Sequence, residues 1–137
     1  MNYWLIKSEP GSWSWDDHVK AGTEPWDGVR NHQACNNMKA MEIGDKVFFY
    51  HSVNEKRIVG VVEVASEYRL DPTDPAGKFG LVDFKALYPV KTPVTLAEIK
   101  ADERLQDLAL IKQSRLSVMP IDAKSWGILC EMCGIDP

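Results

Sequence analysis

One short stretch, residues 25–37, gathers most of the groups in this chain that could recognise a ligand. It contains Trp26, Arg30 and Asn31, together with further asparagines and a glycine. Core segments seldom collect so many polar groups, because each needs a hydrogen-bond partner once it is buried. An apolar ring flanked by donors and acceptors suits a flat, polar-edged ligand such as a nucleobase. The alternative is a well-satisfied structural loop in which Trp26 plugs the core.

A second group of reactive side chains, Tyr50, His51 and Ser52, closes an apolar run. His51 could act as a general base, and with Ser52 or Ser8 it would form a nucleophile–base pair. No G-x-S-x-G elbow surrounds either serine, and a histidine at a strand end is most often a structural hydrogen-bonding residue. We therefore expect a protein that is not an enzyme. A small hydrolase or nucleotide-processing enzyme built around His51 is the alternative.

The three cysteines, Cys35, Cys130 and Cys133, point to neither disulfides nor a metal. An odd count disfavours a disulfide framework. Cys130 and Cys133 have C-x-x-C spacing, but no second pair and no nearby histidine completes a zinc site. We expect no metal and no cofactor, and assign the pair to packing.

Composition and charge limit the class of protein. The 137 residues are 45% hydrophobic and 26% charged, which is typical of one soluble globular domain, here residues 1–137. No apolar stretch is long enough to span a membrane, so we expect a cytoplasmic protein, or a nuclear one in a eukaryote. The net charge of −4 argues against a protein that holds long duplexes mainly by neutralising phosphates. It allows a pocket with a local basic rim.

The first half of the chain predicts strands alternating with short helices. Residues 3–7 form a first strand, and a helix begins at the N-cap Ser14 and ends at Gly22. Residues 33–41 form a second short helix. Two strands, 46–50 and 58–64, are joined by a polar turn and predict a hairpin.

The second half adds a loop, further strands and two capped helices. Residues 70–80 form a loop, 81–90 a long strand and 115–121 a last strand. A capping box at residues 95–98 opens one helix, and Asp122 caps the last. One face of that helix carries Trp126, Leu129, Cys130 and Cys133. The prediction is an α+β fold in which about five strands form a small, partly open barrel.

Four motifs in one order resemble a known family. They are residues 3–10 (YWLIKSEP), 26–31 (WDGVRN), 50–52 (YHS) and 115–120 (RLSVMP). Together they resemble the EVE domain, which has a PUA-like fold and is similar to the YTH domain, a reader of a methylated base in RNA. The resemblance implies a PUA-like, partly open mixed β-barrel with short flanking helices. It also implies a reader of modified bases, with modified cytosine in DNA as the first expectation and modified RNA as the second.

The resemblance also implies site residues. Trp26 matches the cage tryptophan of YTH domains, where it would stack on a flipped base, while Lys7 and Ser8 match the Lys-Ser that meets the base edge. Asn31 could read the Watson–Crick edge, and Arg30 could meet a phosphate or brace its loop. The expected base pocket is Lys7, Ser8, Trp26, Asn31, Tyr50, His51, Ser52 and Phe79, with Arg30, Arg115 and Ser117 at a phosphate-binding rim.

Several alternatives stay open at the edges of this pocket. Arg115 either meets a phosphate or pairs with an acid. One of Trp13 and Trp15 could close over the ligand. Two positions depart from the family pattern, with Cys35 where relatives commonly carry Arg and Phe79 near where they often carry Trp. A third functional class, a protein-interaction module, would show an exposed apolar patch and no preference among nucleic acids.

Overall fold

A curled six-stranded sheet organises the fold, and the computed structural model describes all of residues 1–137. Its strands, in spatial order, are β2 (Thr23–Pro25), β7 (Asp83–Thr95), β4 (Arg57–Val64), β3 (Lys46–His51), β1 (Tyr3–Ser8) and β8 (Val118–Ile121). Only β1 and β3 run parallel, while the other neighbours are antiparallel. Two short strands, β5 (Arg69–Leu70) and β6 (Gly80–Leu81), form a separate pair. The expected α+β half-barrel is confirmed.

Short helices flank the sheet. They are α1 (Trp15–Ala21), α2 (His32–Ala40), α3 (Leu96–Ala101), α4 (Ala109–Lys112) and α5 (Ala123–Cys133), with a 3₁₀ turn at Glu103–Leu105. Ser14 and Thr95 form reciprocal capping boxes, and the Asp122 side chain accepts from the Ser125 N–H, as the sequence predicts. Gly134 ends α5 in the left-handed conformation, which costs glycine no Cβ clash.

The sequence predicts most of these elements, but it misses β2, the β5–β6 pair and α4, and two predicted strands differ in their bounds. The strand predicted at residues 81–90 is β7 at Asp83–Thr95, because Gly80–Leu81 pairs with β5 instead. The edge strand β2 was not predicted, because three residues ending in a proline show no alternation of apolar and polar positions. The last strand begins at Val118 rather than at Arg115. Residues 115–117 instead form the approach to the strand, where the Ser117 carbonyl accepts from the Lys7 N–H at 2.9 Å.

The core packs aromatic rings against both faces of the sheet. Trp126 of α5 stacks on Phe48 with 4.0 Å between ring centroids and on Tyr3 with 4.6 Å. On the other side, Trp15 at the start of α1 meets Phe49 edge to face. No helix of the structure is both long enough and apolar enough to cross a membrane.

Candidate functional site

A cavity opens where the end of β1, the turn before α1 and loop 26–31 meet. It has a volume of about 550 Å³ and a mostly polar lining. Its hydrophobic lining residues are Val29 and two tryptophans, Trp13 and Trp26. This volume falls in the range of small-molecule sites, and tryptophan is the side chain best able to cover a flat heterocycle.

Trp26 is anchored in the core and also lines the cavity. Its N–H donates to the Val82 carbonyl at 3.0 Å, which continues the β2 edge by one residue. Its ring meets Phe49 and Phe84 edge to face, each with 5.7 Å between centroids. The side chain is only half-buried. Trp26 therefore packs against the core on one side and borders the cavity on the other.

His18 orients the second indole. The Trp13 indole N–H lies 3.0 Å from His18 Nδ1, and His18 Nε2 lies 2.8 Å from the Phe84 carbonyl. An indole nitrogen can only donate, so Nδ1 accepts and Nε2 carries the proton that is donated to Phe84. His18 is fully buried, and this burial lowers the pKa of its imidazole despite the opposing pull of the Phe84 carbonyl and Glu24.

A buried carboxylate fixes the loop that carries Trp26. Asp71 accepts from the Gly28 N–H at 2.8 Å, from Arg30 Nη1 at 3.1 Å, and from both the N–H and the hydroxyl of Thr73. Burial alone would raise the pKa of Asp71, but these hydrogen bonds prevail and hold it at about 2. Gly28 has a φ of 80°, which disfavours any side chain at that position.

Four more of the predicted residues line the cavity: Lys7, Ser8, Asn31 and Ser117. Asn31 caps α2 through its Oδ1, which accepts from the Ala34 N–H at 2.8 Å, so its amide N–H₂ group stays available to a ligand. Ser8 donates its hydroxyl to the Trp13 carbonyl and keeps its oxygen lone pairs for accepting. Lys7 Nζ donates to the Ser114 carbonyl at 2.8 Å, and burial lowers the pKa of this amine.

The sequence did not single out the acids of the cavity. Glu9, Glu24 and Asp27 all line it. The two basic residues of the lining are Lys7 and Arg30, and Arg30 forms an ion pair with Asp71. An isolated acid in a sequence looks like ordinary solvated surface, so nothing marked these three. These acids disfavour a phosphate inside the cavity, because anionic groups repel one another.

Tyr50, His51 and Ser52 do not line the cavity, although their backbone adjoins it. The parallel pairing of β1 and β3 places His51 opposite Ser8, and the Ser52 N–H donates to the Ser8 carbonyl at 2.9 Å. His51 Nε2 accepts from the Trp15 N–H at 3.0 Å, so Nδ1 carries the proton and donates to Glu55. Both ring nitrogens hold structural partners. Tyr50 is buried, which raises the pKa of its phenol to about 12.

Phe79 and Arg115 also lie outside the cavity. The Phe79 ring packs against the tilted ring of His32 with 4.7 Å between centroids, and the Arg30 guanidinium lies over it, so Phe79 supports loop 26–31. Arg30 accordingly braces the loop, the second of its two predicted roles. Arg115 lines an adjacent groove of about 360 Å³ that Asn31 also borders, and it forms no ion pair. No acidic residue lines that groove.

The structure contains no cluster of three or more histidine, cysteine or acidic side chains that could hold a metal ion. Cys35, Cys130 and Cys133 are all buried and free. Burial raises the thiol pKa of Cys130 to about 11 and that of Cys133 to about 12, so both remain protonated and unreactive at neutral pH.

Comparison with known proteins identifies the family. The family model described as EVE domain matches residues 2–132. This chain belongs to the EVE domain family. The EVE match runs from β1 almost to the end of α5, so every element that borders the cavity lies within it.

Related proteins share both sequence and architecture with this EVE domain. Thymocyte nuclear protein 1 of Danio rerio is 34% identical, over 98% of this chain and 73% of its own. A crystal structure of an Agrobacterium tumefaciens protein is 44% identical with a TM-score of 0.95, covering 98% of this chain and 94% of that one. The crystal structure of human THYN1 protein in complex with DNA containing 5-methylcytosine is 30% identical with a TM-score of 0.91, and the match covers both chains completely.

Proposed function

We propose that this protein binds nucleic acid carrying a modified base, with modified cytosine in DNA as the first candidate, and holds that base extruded in the cavity of Trp13 and Trp26. The observation that carries the proposal is the pair of rigidly mounted indoles on one polar cavity. It is supported by the similarity over the full chain to human THYN1, whose crystal structure contains 5-methylcytosine DNA.

Stacking supplies affinity in this proposal, and polar groups supply orientation. A base leaving a helix loses its stacking partners, and an aromatic side chain restores about 1–3 kcal/mol per base. Trp26 is the stacking surface and Trp13 the second wall. Asn31 donates its amide N–H to the base edge, while Ser8 accepts there, supported by the backbone of Ser52.

The flanking backbone lies outside the cavity, along the groove of Arg115. Arg115 and Lys112 line this groove, Ser117 lies between it and the cavity, and Asn31 borders both. A guanidinium without a protein partner suits phosphate oxygens. Because the net charge is −4, few phosphates are neutralised, and the salt dependence of binding is expected to be shallow.

The competing functions have less support. A hydrolase built on His51 lacks a free base, because both ring nitrogens are engaged by Trp15 and Glu55. An interaction module needs a contiguous apolar patch. The exposed large hydrophobic residues instead lie on five different segments of the chain and are Met1, Val19, Ile43, Val53 and Leu70.

A binding screen tests the proposal. Matched DNA and RNA oligonucleotides differing only in one cytosine, 5-methylcytosine, adenine or N6-methyladenine are titrated at low and moderate salt. We expect tighter binding to one modified form than to its unmodified partner. Arg115→Ala should weaken binding to both forms equally, whereas Lys100→Ala, on the exposed side of α3, should change neither. Equal affinity for every oligonucleotide would contradict the proposal.

A further inference from the structure

Glu24 occupies a distinctive position in the cavity wall. It lies on the edge strand β2, two residues before Trp26, and alternate residues of an extended segment point to the same side. Both side chains line the cavity. Glu24 is half-buried, whereas Glu9 and Asp27, the other acids of the lining, are exposed to solvent.

The Glu24 carboxylate has no partner within the protein. Its side chain forms no hydrogen bond and no ion pair. The neighbouring carboxylates Asp17, Asp71 and Asp83 each accept at least one hydrogen bond. An ionised carboxylate can only accept, and one without a donor in the protein is free to accept from a ligand. This position therefore favours a ligand that presents a hydrogen-bond donor beside the indole of Trp26.

Reading 5-methylcytosine poses a problem that stacking cannot solve. Thymine carries the same methyl group on the same ring position, and every base offers a similar face to an indole. The two bases differ at position 4, where cytosine presents an amino donor and thymine a carbonyl acceptor, and at position 3, where the cytosine nitrogen accepts and the thymine N–H donates. An acceptor opposite position 4 is therefore one way for a site to select 5-methylcytosine over thymine.

We infer that Glu24 is this acceptor and makes the cavity specific for 4-amino pyrimidines over 4-keto pyrimidines. The inference deepens the proposed function and rests on it. The carboxylate accepts from the exocyclic amino group of cytosine or 5-methylcytosine and repels the O4 atom of uracil or thymine. A hydrogen bond to a charged group is gained with the amino bases, and two acceptors are placed face to face with the keto bases. The free-energy difference corresponds to a preference of about tenfold to a hundredfold.

Four single-stranded DNA oligonucleotides test this assignment. They are identical except for one central residue, which is cytosine, 5-methylcytosine, uracil or thymine, so that methyl group and position-4 group vary independently. Single strands remove the differences in base-pairing cost that duplexes would add. We expect the wild-type protein to bind the amino bases at least about tenfold more tightly than the keto bases.

The variants isolate Glu24. Glu24→Gln keeps the shape but can turn either its oxygen or its N–H₂ group toward position 4, so the amino-to-keto ratio should fall to about threefold or less. The effect of the methyl group should persist. Glu24→Asp, which retains the charge, should keep part of the preference. Glu103→Gln removes one negative charge on an exposed turn and should behave as wild type.

Each outcome bears on a separate claim. Equal wild-type affinity for 5-methylcytosine and thymine, with tighter binding to 5-methylcytosine than to cytosine, overturns the inference but leaves the proposed function intact. A Glu24→Gln protein that melts like wild type and keeps the full amino preference overturns the role of Glu24. No discrimination among all four oligonucleotides overturns the inference and also removes modified cytosine as the ligand of the proposed function.

Discussion

Trp13 donates its indole N–H to His18 Nδ1 at 3.0 Å, and this hydrogen bond fixes the tautomer of a fully buried histidine. His18 donates its Nε2–H to the Phe84 carbonyl, and its ring centroid lies 5.8 Å from that of Trp26. The two indoles of the cavity therefore share one support. Any change that protonates or removes His18 should disturb both.

The first prediction concerns stability against pH. Burial lowers the pKa of folded His18 below its ordinary value of 6.5, so the unfolded chain binds more protons than the folded one below that pH. The contribution of neutral His18 to the free energy of unfolding is fully present above about pH 6.5. It is lost as the pH falls toward the lowered pKa of the folded protein. We expect Tm, followed by circular dichroism, to fall as the pH is lowered across this window.

Two histidine variants provide the comparison. His18→Gln should lower Tm at neutral pH and flatten the decline below pH 6.5. His32→Gln, at the exposed start of α2, should retain the wild-type profile. An unchanged pH profile in His18→Gln would show that the decline arises elsewhere.

A second prediction concerns the tether of loop 26–31. Asp71→Asn puts an amide N–H₂ group where Gly28 and Arg30 donate, so it should destabilise the fold by about 2 kcal/mol. It should also weaken binding, because the loop that carries Trp26 loses its anchor. Urea unfolding and oligonucleotide titration measure the two effects.

Acid unfolding gives the matching test for Asp71. Its folded pKa of about 2 lies below its ordinary value of 3.8, so its contribution is present above about pH 4 and is lost as the pH falls toward 2. Asp71→Asn should lack this part of the acid sensitivity. Asp136→Asn, near the exposed C-terminus, is the control and should unfold as wild type does. Wild-type stability in Asp71→Asn at every pH would remove Asp71 from this role.

A third prediction uses a pair of glycines. A Cβ added at Gly60 would lie 2.5 Å from the Trp15 ring, whereas one added at Gly127 meets nothing within 4 Å. Gly60→Ala should therefore destabilise by about 1–3 kcal/mol and displace Trp15 together with the start of α1. Gly127→Ala, inside α5, should stabilise by up to about 1 kcal/mol. Thermal melts that rank the two variants in the opposite order would contradict this packing.

Local signals explain why so much of the architecture was predictable. The caps at Ser14, Thr95 and Asp122 each depend on residues within three positions of one another, so sequence alone predicts the helices they begin. The hairpin of β3 and β4 follows from two apolar runs around a polar turn. Trp26, Lys7, Ser8 and Asn31 were predicted for the pocket from their motifs, and they do line one cavity.

The remaining features depend on contacts between distant segments. Phe79 braces Arg30 from behind because residues 69–81 fold back on loop 26–31, and no local pattern indicates this packing. His51 turns beneath α1 to meet Trp15, which makes its role structural. Glu24 reaches the cavity only because β2 pairs with β7, a pairing of residues about sixty positions apart.

The sequence predicts that either Trp13 or Trp15 closes over the ligand, and the structure distinguishes the positions of the two. Trp15 is buried against Gly60 and Phe49, whereas Trp13 borders the cavity. The two residues lie on either side of the N-cap Ser14, where the chain turns into α1. Trp15 faces inward because its ring packs against Gly60, where there is no Cβ to exclude it. The sequence near Ser14 does not indicate this contact.

The affinity of Trp26→Ala for DNA with a single 5-methylcytosine tests the central claim most directly. Truncation removes the stacking surface, so we expect binding to weaken at least about tenfold, by fluorescence anisotropy, in a protein that still melts cooperatively. Trp126→Phe, which retains an aromatic ring in the core on the opposite side of the sheet, should bind as wild type does. Wild-type affinity in folded Trp26→Ala would contradict the account.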